Sequence, residues 1–193
     1  MKFDCIKVGT HPRTGTHYLM SLIALNFTSD PVTYERFFWN HDLLAEDFVP
    51  EKDVAYITIF RDADDVMDSM WRLRARFGLD VDTYEEFLKT KYKDMYNDKM
   101  SSKTQKVTYK KKVLVTDKIA GNFSGIDLYP KEYYEIYKKN RRDFTAKYPE
   151  QFKIVQYENL KTDFVEEMVA LCFFLGADLC NFKNINYKIG WAE

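Results

Sequence analysis

The chain has 193 residues, 46% of them apolar, enough for one core of ordinary size and too short for two full domains. Its formal net charge of −1, with basic residues spread along the chain, gives no global field for nucleic acid or an anionic membrane surface, so any anion site must be local. The N-terminal MKFDCIKVG is too short and too charged for a signal peptide, no apolar run approaches the ~20 residues of a membrane span, and three cysteines without a CxxC spacing argue against disulfides or zinc; the expectation is a soluble, cytoplasmic protein.

Phe3 to Val8 reads as a buried strand and Thr16 to Asn26 as the helix beyond a short loop, with Thr14 or Thr16 available to cap it. Ala55 to Phe60 (AYITIF) is a second strand. Arg61 follows it at once, and then a helix from Asp64 to Phe77, whose Val66, Met67, Met70, Trp71 and Leu73 keep helical spacing before Gly78 closes it. Thr83 to Met100 continues as a Tyr- and Lys-rich amphipathic helix, and KVTYKKKVLVT, within 101–129, predicts a hairpin or a mobile excursion. Pro130 opens a helix reaching about Lys147, Lys153 to Tyr157 is a short strand, and Asp163 to Leu175 is a helix closed by Gly176. Strands alternating with helices imply an α/β fold, a three-layer α/β/α arrangement on a mainly parallel sheet, as a single domain over 1–193.

The segment VGTHPRTGTHYLMSLIAL, Val8 to Leu25, is a Gly/Thr loop between strand and helix. Such a turn presents backbone N–H groups and a positive helix end to an anion. A Walker A loop would need G-x-x-x-x-G-K-[ST]. Here Gly9 and Gly15 enclose five residues and Thr16 stands where the Lys belongs, which disfavours a kinase; the dinucleotide pattern G-x-G-x-x-G is also absent.

What remains is a cradle with its basic residue, Arg13, ahead of the glycine. Thr10-His11-Pro12-Arg13-Thr14-Gly15-Thr16-His17-Tyr18 resembles the 5′-phosphosulfate loop of the sulfotransferases that use 3′-phosphoadenosine 5′-phosphosulfate (PAPS), roughly T-x-P-[KR]-[ST]-G-[ST]-[ST]-[WFL]. His17 replaces a hydroxyl residue, and Tyr18 replaces the common Trp while keeping an aromatic face for adenine. Arg61-Asp62-Ala63-Asp64-Asp65-Val66-Met67-Asp68-Ser69 resembles the family's R-[ND]-P-x-D-x-x-x-S, with Ala63 in place of Pro. Arg61 at a strand end and Ser69 one to two turns into the next helix can both reach one 3′-phosphate; the competing reading is an ion pair of Arg61 with Asp64 or Asp65. Gln156-Tyr157-Glu158-Asn159-Leu160-Lys161 is similar to the YEDL segment, in which the Tyr approaches the adenine. At the C-terminal end Lys188 and Gly190-Trp191 resemble part of a closing basic loop, without its Arg. The resemblance covers roughly Lys2 to Leu73 and Lys153 to Gly176.

The same resemblance implies a base. Trp39-Asn40-His41-Asp42-Leu43, with His41 20 residues ahead of Arg61, is similar to the K-[TS]-H-L-P segment that carries a catalytic His in cytosolic members, with Trp39 where the Lys usually stands. His41 is then the general base, Glu35 and Asp42 its reserves, and Arg13 the second catalytic group; the amides of Thr14, Gly15, Thr16 and His17 hold the 5′-phosphate. The implied reaction is in-line transfer of a sulfuryl group from PAPS to an acceptor hydroxyl or amine, leaving adenosine 3′,5′-bisphosphate, with no metal required. A catalytically weak PAPS-binding module is the alternative, and a kinase-like P-loop enzyme a more distant one. The acceptor is a small molecule, glycan or peptide rather than nucleic acid. Tyr84, Phe87, Tyr92, Tyr96, Tyr109, Tyr129, Tyr133, Tyr134 and Tyr137 are available to line its cleft, although at helical spacing they read mainly as packing.

Overall fold

The structure, a computed structural model, describes residues 1–27, 47–97, 106–109, 112–115, 123–179 and 181–185. β1 (Cys5–Val8) leads through the Gly/Thr loop into α1 (Thr16–Asn26), and β2 (Val54–Phe60) leads into α2 (Ala63–Arg72) and a 3-10 turn over Arg74–Phe77. Two short helices follow, α3 (Tyr84–Lys89) and α4 (Tyr92–Met95), then the strands β3 (Lys106–Tyr109) and β4 (Lys112–Val115). The chain continues through α5 (Pro130–Lys147), β5 (Phe152–Gln156), α6 (Asn159–Thr162) and α7 (Phe164–Leu175). β1, β2 and β5 form a parallel sheet in that order, Val8 opposite Ile57 and Phe60 opposite Gln156, while β3 and β4 pair as the antiparallel hairpin that their sequence suggests.

β2 shows why the fold has three layers. All of its residues are buried, so it must be covered on both faces. Ala55, Ile57 and Ile59 pack with Leu19 of α1 and Met168 of α7, whereas Tyr56 meets Phe144 of α5 and Phe60 meets Met70 of α2 on the other side. Truncating Ile57 to Ala would open a cavity in the first of these layers at a cost of about 2–5 kcal/mol.

The helix ends follow their capping chemistry. Asp62 accepts from the N–H groups of Asp64 and Asp65, Thr83 accepts from Glu86, and α5 opens at Pro130 with Glu132 accepting from the Tyr129 N–H. Two predicted helices are shorter than their sequence pattern. The one expected over Asp64 to Phe77 ends at Arg72, because Arg74 folds back onto the carbonyls of Val81 (2.6 Å) and Trp71 (3.3 Å) and tightens the next turn. The one expected over Thr83 to Met100 breaks at Thr90, since the N–H groups of Tyr92 and Lys93 are drawn to the carbonyls of Leu128 and Ile126. Among the described residues no helix is long and apolar enough to cross a membrane.

Candidate active site

β1 and β2 are parallel neighbours, so the loop that leaves β1 and the Arg61 that leaves β2 emerge side by side at their C-terminal ends, where open parallel sheets bind ligands. The Gly9 N–H extends the ladder to the Ile57 carbonyl at 2.9 Å. Neither threonine caps α1. Thr14 Oγ1 donates to the His11 carbonyl at 2.7 Å and Thr16 Oγ1 bonds Thr10 Oγ1, so both hydroxyls hold the loop together and Gly15 takes the cap position. α1 has no side-chain cap and no acidic residue of its own in the first turn to offset its positive end.

Arg13 and Gly15 both have left-handed backbone, at φ +69° and +108°. That conformation costs a non-glycine residue about 1–2 kcal/mol. At Gly15 a second constraint acts, for an added Cβ would stand 2.6 Å from Tyr157 Cδ2. The loop backbone therefore lies directly against that ring.

The guanidinium groups of Arg13 and Arg61 converge. Arg13 Nε donates to Ser69 Oγ at 2.9 Å, and Arg61 Nη1 lies 3.4 Å from the Arg13 carbonyl. Arg61 Nη2 pairs with Asp65 at 3.0 Å, its guanidinium lies 4.9 Å over the Tyr157 ring, and its Nε is buried with no hydrogen-bond partner among the described residues. The ion pair and the crevice position thus coexist for Arg61, and Ser69 meets Arg13 rather than Arg61.

Burial lowers the pKa of Arg13, and the charges of Arg61 and then Arg76 lower it further. No motif pointed to Arg76. The shortened α2 and its 3-10 turn bring it round to the site. His17 is lowered by burial and then by Arg13, so its imidazole is neutral at pH 7. Behind the loop, His11 is fully buried, its ring 4.7 Å from that of Tyr134; burial holds its pKa at about 4, against the hydrogen bond of Nδ1 with the Pro12 carbonyl. Tyr18 and Tyr157 meet edge to face at 6.1 Å, with the Lys161 ammonium 4.7 Å over Tyr18, whose hydroxyl donates to Asn184 at 2.9 Å. His41, Glu35, Asp42 and Lys188 lie outside the described residues.

A profile of the family described as "Sulfotransferase domain" matches residues 28–185, most of the chain. The chain belongs to that family. The matched span begins beyond the Gly/Thr loop, which stands on its own residues and geometry. Among solved structures, this sulfotransferase-family chain is similar to the mouse sulfotransferase SULT7A1 complexed with PAP, with 14% identity, a TM-score of 0.51, and coverage of 94% of this chain and 60% of that one. At that identity the likeness shows the fold, and the chain spans only 60% of the length of the mouse protein. No curated protein matches the sequence.

Proposed function

We propose that this sulfotransferase-family protein moves a sulfuryl group from PAPS to an acceptor hydroxyl or amine in a single in-line step. The convergence of Arg13, Ser69 and Arg61 beside the uncapped start of α1 carries the proposal. These residues suit a nucleotide with a phosphate at each end. The crowding of Arg13 by two other guanidinium groups is relieved by an anion, the buried Arg61 Nε has a donor to spare, and Gly15 lets backbone and ring close together. The mouse neighbour, complexed with PAP, is consistent with such a ligand.

In this scheme the amides of Thr14, Gly15, Thr16 and His17 hold the 5′-phosphate. Arg61 and Ser69, closed over by Lys188, hold the 3′-phosphate, while Tyr18 and Tyr157 flank the adenine. His41 takes the acceptor proton as the acceptor oxygen bonds to sulfur, a task suited to a group whose ordinary pKa is near neutrality. Arg13 neutralises the charge that grows on the bridging oxygen as its bond to sulfur breaks. Positioning and electrostatics supply the catalysis, as in phosphoryl transfer. A sulfuryl group carries less negative charge than a γ-phosphoryl group, so no magnesium is needed. The site serves one sulfotransferase-like domain acting on a small-molecule, glycan or peptide acceptor.

Calorimetry of the full chain with adenosine 3′,5′-bisphosphate and with ATP, each with and without magnesium, tests the donor. Metal-independent binding of the bisphosphate in preference to ATP is expected; magnesium-dependent binding of ATP alone would replace the proposal with a kinase-like enzyme. Label from radiolabelled PAPS should then pass to members of a mixed acceptor panel. Binding without transfer would leave a binding module, a reading that Trp39, standing where the family pattern has Lys, favours.

A further inference from the structure

The two phosphate anchors leave neighbouring strands, and the parallel ladder fixes their separation only as far as it runs. Its last rung here is Gly9 N–H to Ile57 at 2.9 Å, and on the other flank of β2 the ladder with β5 ends at Tyr157 N–H to Phe60 at 2.8 Å. Beyond them, two tyrosines of α5 take over. The Tyr134 hydroxyl accepts from the Arg61 N–H at 3.0 Å and donates to the Arg61 carbonyl at 2.8 Å. The Tyr137 hydroxyl donates to the Gly9 carbonyl at 3.2 Å and bonds Thr58 Oγ1 of β2 at 2.9 Å. Three residues apart on one helix face, the two rings stack nearly parallel, 12° between planes, and both are fully buried. His11, inside the loop, packs on both, at 4.7 and 5.6 Å between ring centroids.

A buried backbone N–H or carbonyl past the end of a ladder must find a partner, and a phenol at the end of a rigid ring supplies one at a fixed distance. Burial raises the pKa of the Tyr134 phenol, which stays a donor across the physiological range. One rigid helix therefore grips the base of the loop and the base of Arg61 together.

We infer that Tyr134 and Tyr137 are positioning residues: Tyr134 sets the placement of Arg61, Tyr137 sets the placement of the loop, and α5 thereby fixes the spacing at which the site accepts a nucleotide phosphorylated at both ends. The inference rests on the proposed donor site. The two hydroxyls have separable consequences. Loss of the Tyr134 hydroxyl loosens the 3′-phosphate anchor alone, whereas loss of the Tyr137 hydroxyl shifts the loop that every 5′-phosphorylated nucleotide uses.

The test measures dissociation constants of the full chain for adenosine 3′,5′-bisphosphate and adenosine 5′-phosphate, with thermal midpoints, for wild type, Tyr134→Phe, Tyr137→Phe and, as a buried control away from the anchors, Tyr92→Phe. Tyr134→Phe should weaken the bisphosphate about tenfold and the monophosphate less than about twofold. Tyr137→Phe should weaken both by a common factor, about three- to tenfold, and Tyr92→Phe neither. A Tyr134→Phe protein that keeps the wild-type ratio of the two affinities overturns the inference, whatever its thermal midpoint does. So does an Arg61 amide that exchanges with solvent at the rate of an unstructured chain in the wild-type protein, a measurement that needs no variant. Wild-type protein that binds neither nucleotide removes the donor reading and the inference with it, whereas binding by wild type with no discrimination by the variants removes the inference alone.

Discussion

The Gly/Thr loop and the aromatic middle of the chain satisfy their backbones in opposite ways. In the loop, short side chains close on nearby groups, Thr14 on His11 and Thr16 on Thr10, and two residues accept left-handed backbone. In the middle, large rings bury one another, Tyr92 stacked on Phe123 at 4.4 Å and set edge to face on Tyr133 at 5.9 Å, and the backbone is held by contacts far apart in sequence. The loop gives up stability for a concentration of positive charge. The aromatic layer supplies rigidity and holds the loop from behind through His11. Changes in the first region should therefore alter transfer more than stability, and changes in the second should do the reverse unless they touch a hydroxyl that reaches the anchors.

The largest effect should come from Arg13→Ala. Transfer from PAPS should fall about 10²–10³-fold, as for other groups that stabilise charge developing in the transition state. The thermal midpoint should hold or rise, because Arg13 is crowded by Arg61 and Arg76. A protein that melts instead would place Arg13 among the structural residues and break the contrast.

Gly15→Ala comes next and tests where the two regions touch. Its φ of +108° and the 2.6 Å approach to Tyr157 should together cost about 2–4 kcal/mol in urea unfolding. Adding Tyr157→Ala should relieve the contact without changing the backbone conformation, so the double variant recovers only part of the loss relative to Tyr157→Ala alone. Full recovery would assign the whole penalty to the ring.

Much of this contrast was legible in the sequence, for physical reasons that differ by region. The bounds of α1 and α5 follow from local chemistry, the Gly/Thr loop before Thr16 and Pro130 with Glu132 at the helix start. Arg13, Arg61 and Ser69 could be found from the resemblance of their motifs to a family pattern, and the structure brings them side by side because β1 and β2 are parallel neighbours. Arg76 could not be found, since it lies beyond the end of α2, in a 3-10 turn that the helical spacing of the sequence does not announce. Nor could the break at Thr90, which is set by carbonyls at Leu128 and Ile126, or the grip of Tyr134 on Arg61, 73 positions away. Such contacts leave no periodicity in the chain.

His11 joins the regions and should make stability depend on pH. Its folded pKa of about 4 lies below the ordinary 6.5, so the unfolded chain binds the extra proton first as pH falls. Stability due to neutral burial is thus complete above about pH 6.5 and is lost as the pH falls from there toward 4; by pH 5 the loss should be about 2 kcal/mol. Urea unfolding of wild type and His11→Phe over pH 5–7 isolates this from the carboxylates. Equal slopes in the two proteins would sink the assignment. At the site itself, Ser69→Ala removes the hydroxyl that the proposed scheme sets against the 3′-phosphate and should lower discrimination between PAPS and its 3′-dephospho analogue by about fivefold in kcat/KM.

Tyr92→Phe should have the smallest effect and the opposite sign. The Tyr92 hydroxyl is buried without a hydrogen-bond partner among the described residues, and burial raises its pKa, so it contributes an uncompensated desolvation cost rather than a contact. Phenylalanine keeps the stack on Phe123 and the edge contact with Tyr133 while deleting the polar atom. Stability should stay level or rise by up to about 1 kcal/mol, with transfer from PAPS unchanged. A loss of more than about 1 kcal/mol in urea unfolding would mean that this hydroxyl, like those of Tyr134 and Tyr137, is bonded in solution. The aromatic layer would then be held by a polar network throughout, and not only where it meets the anchors.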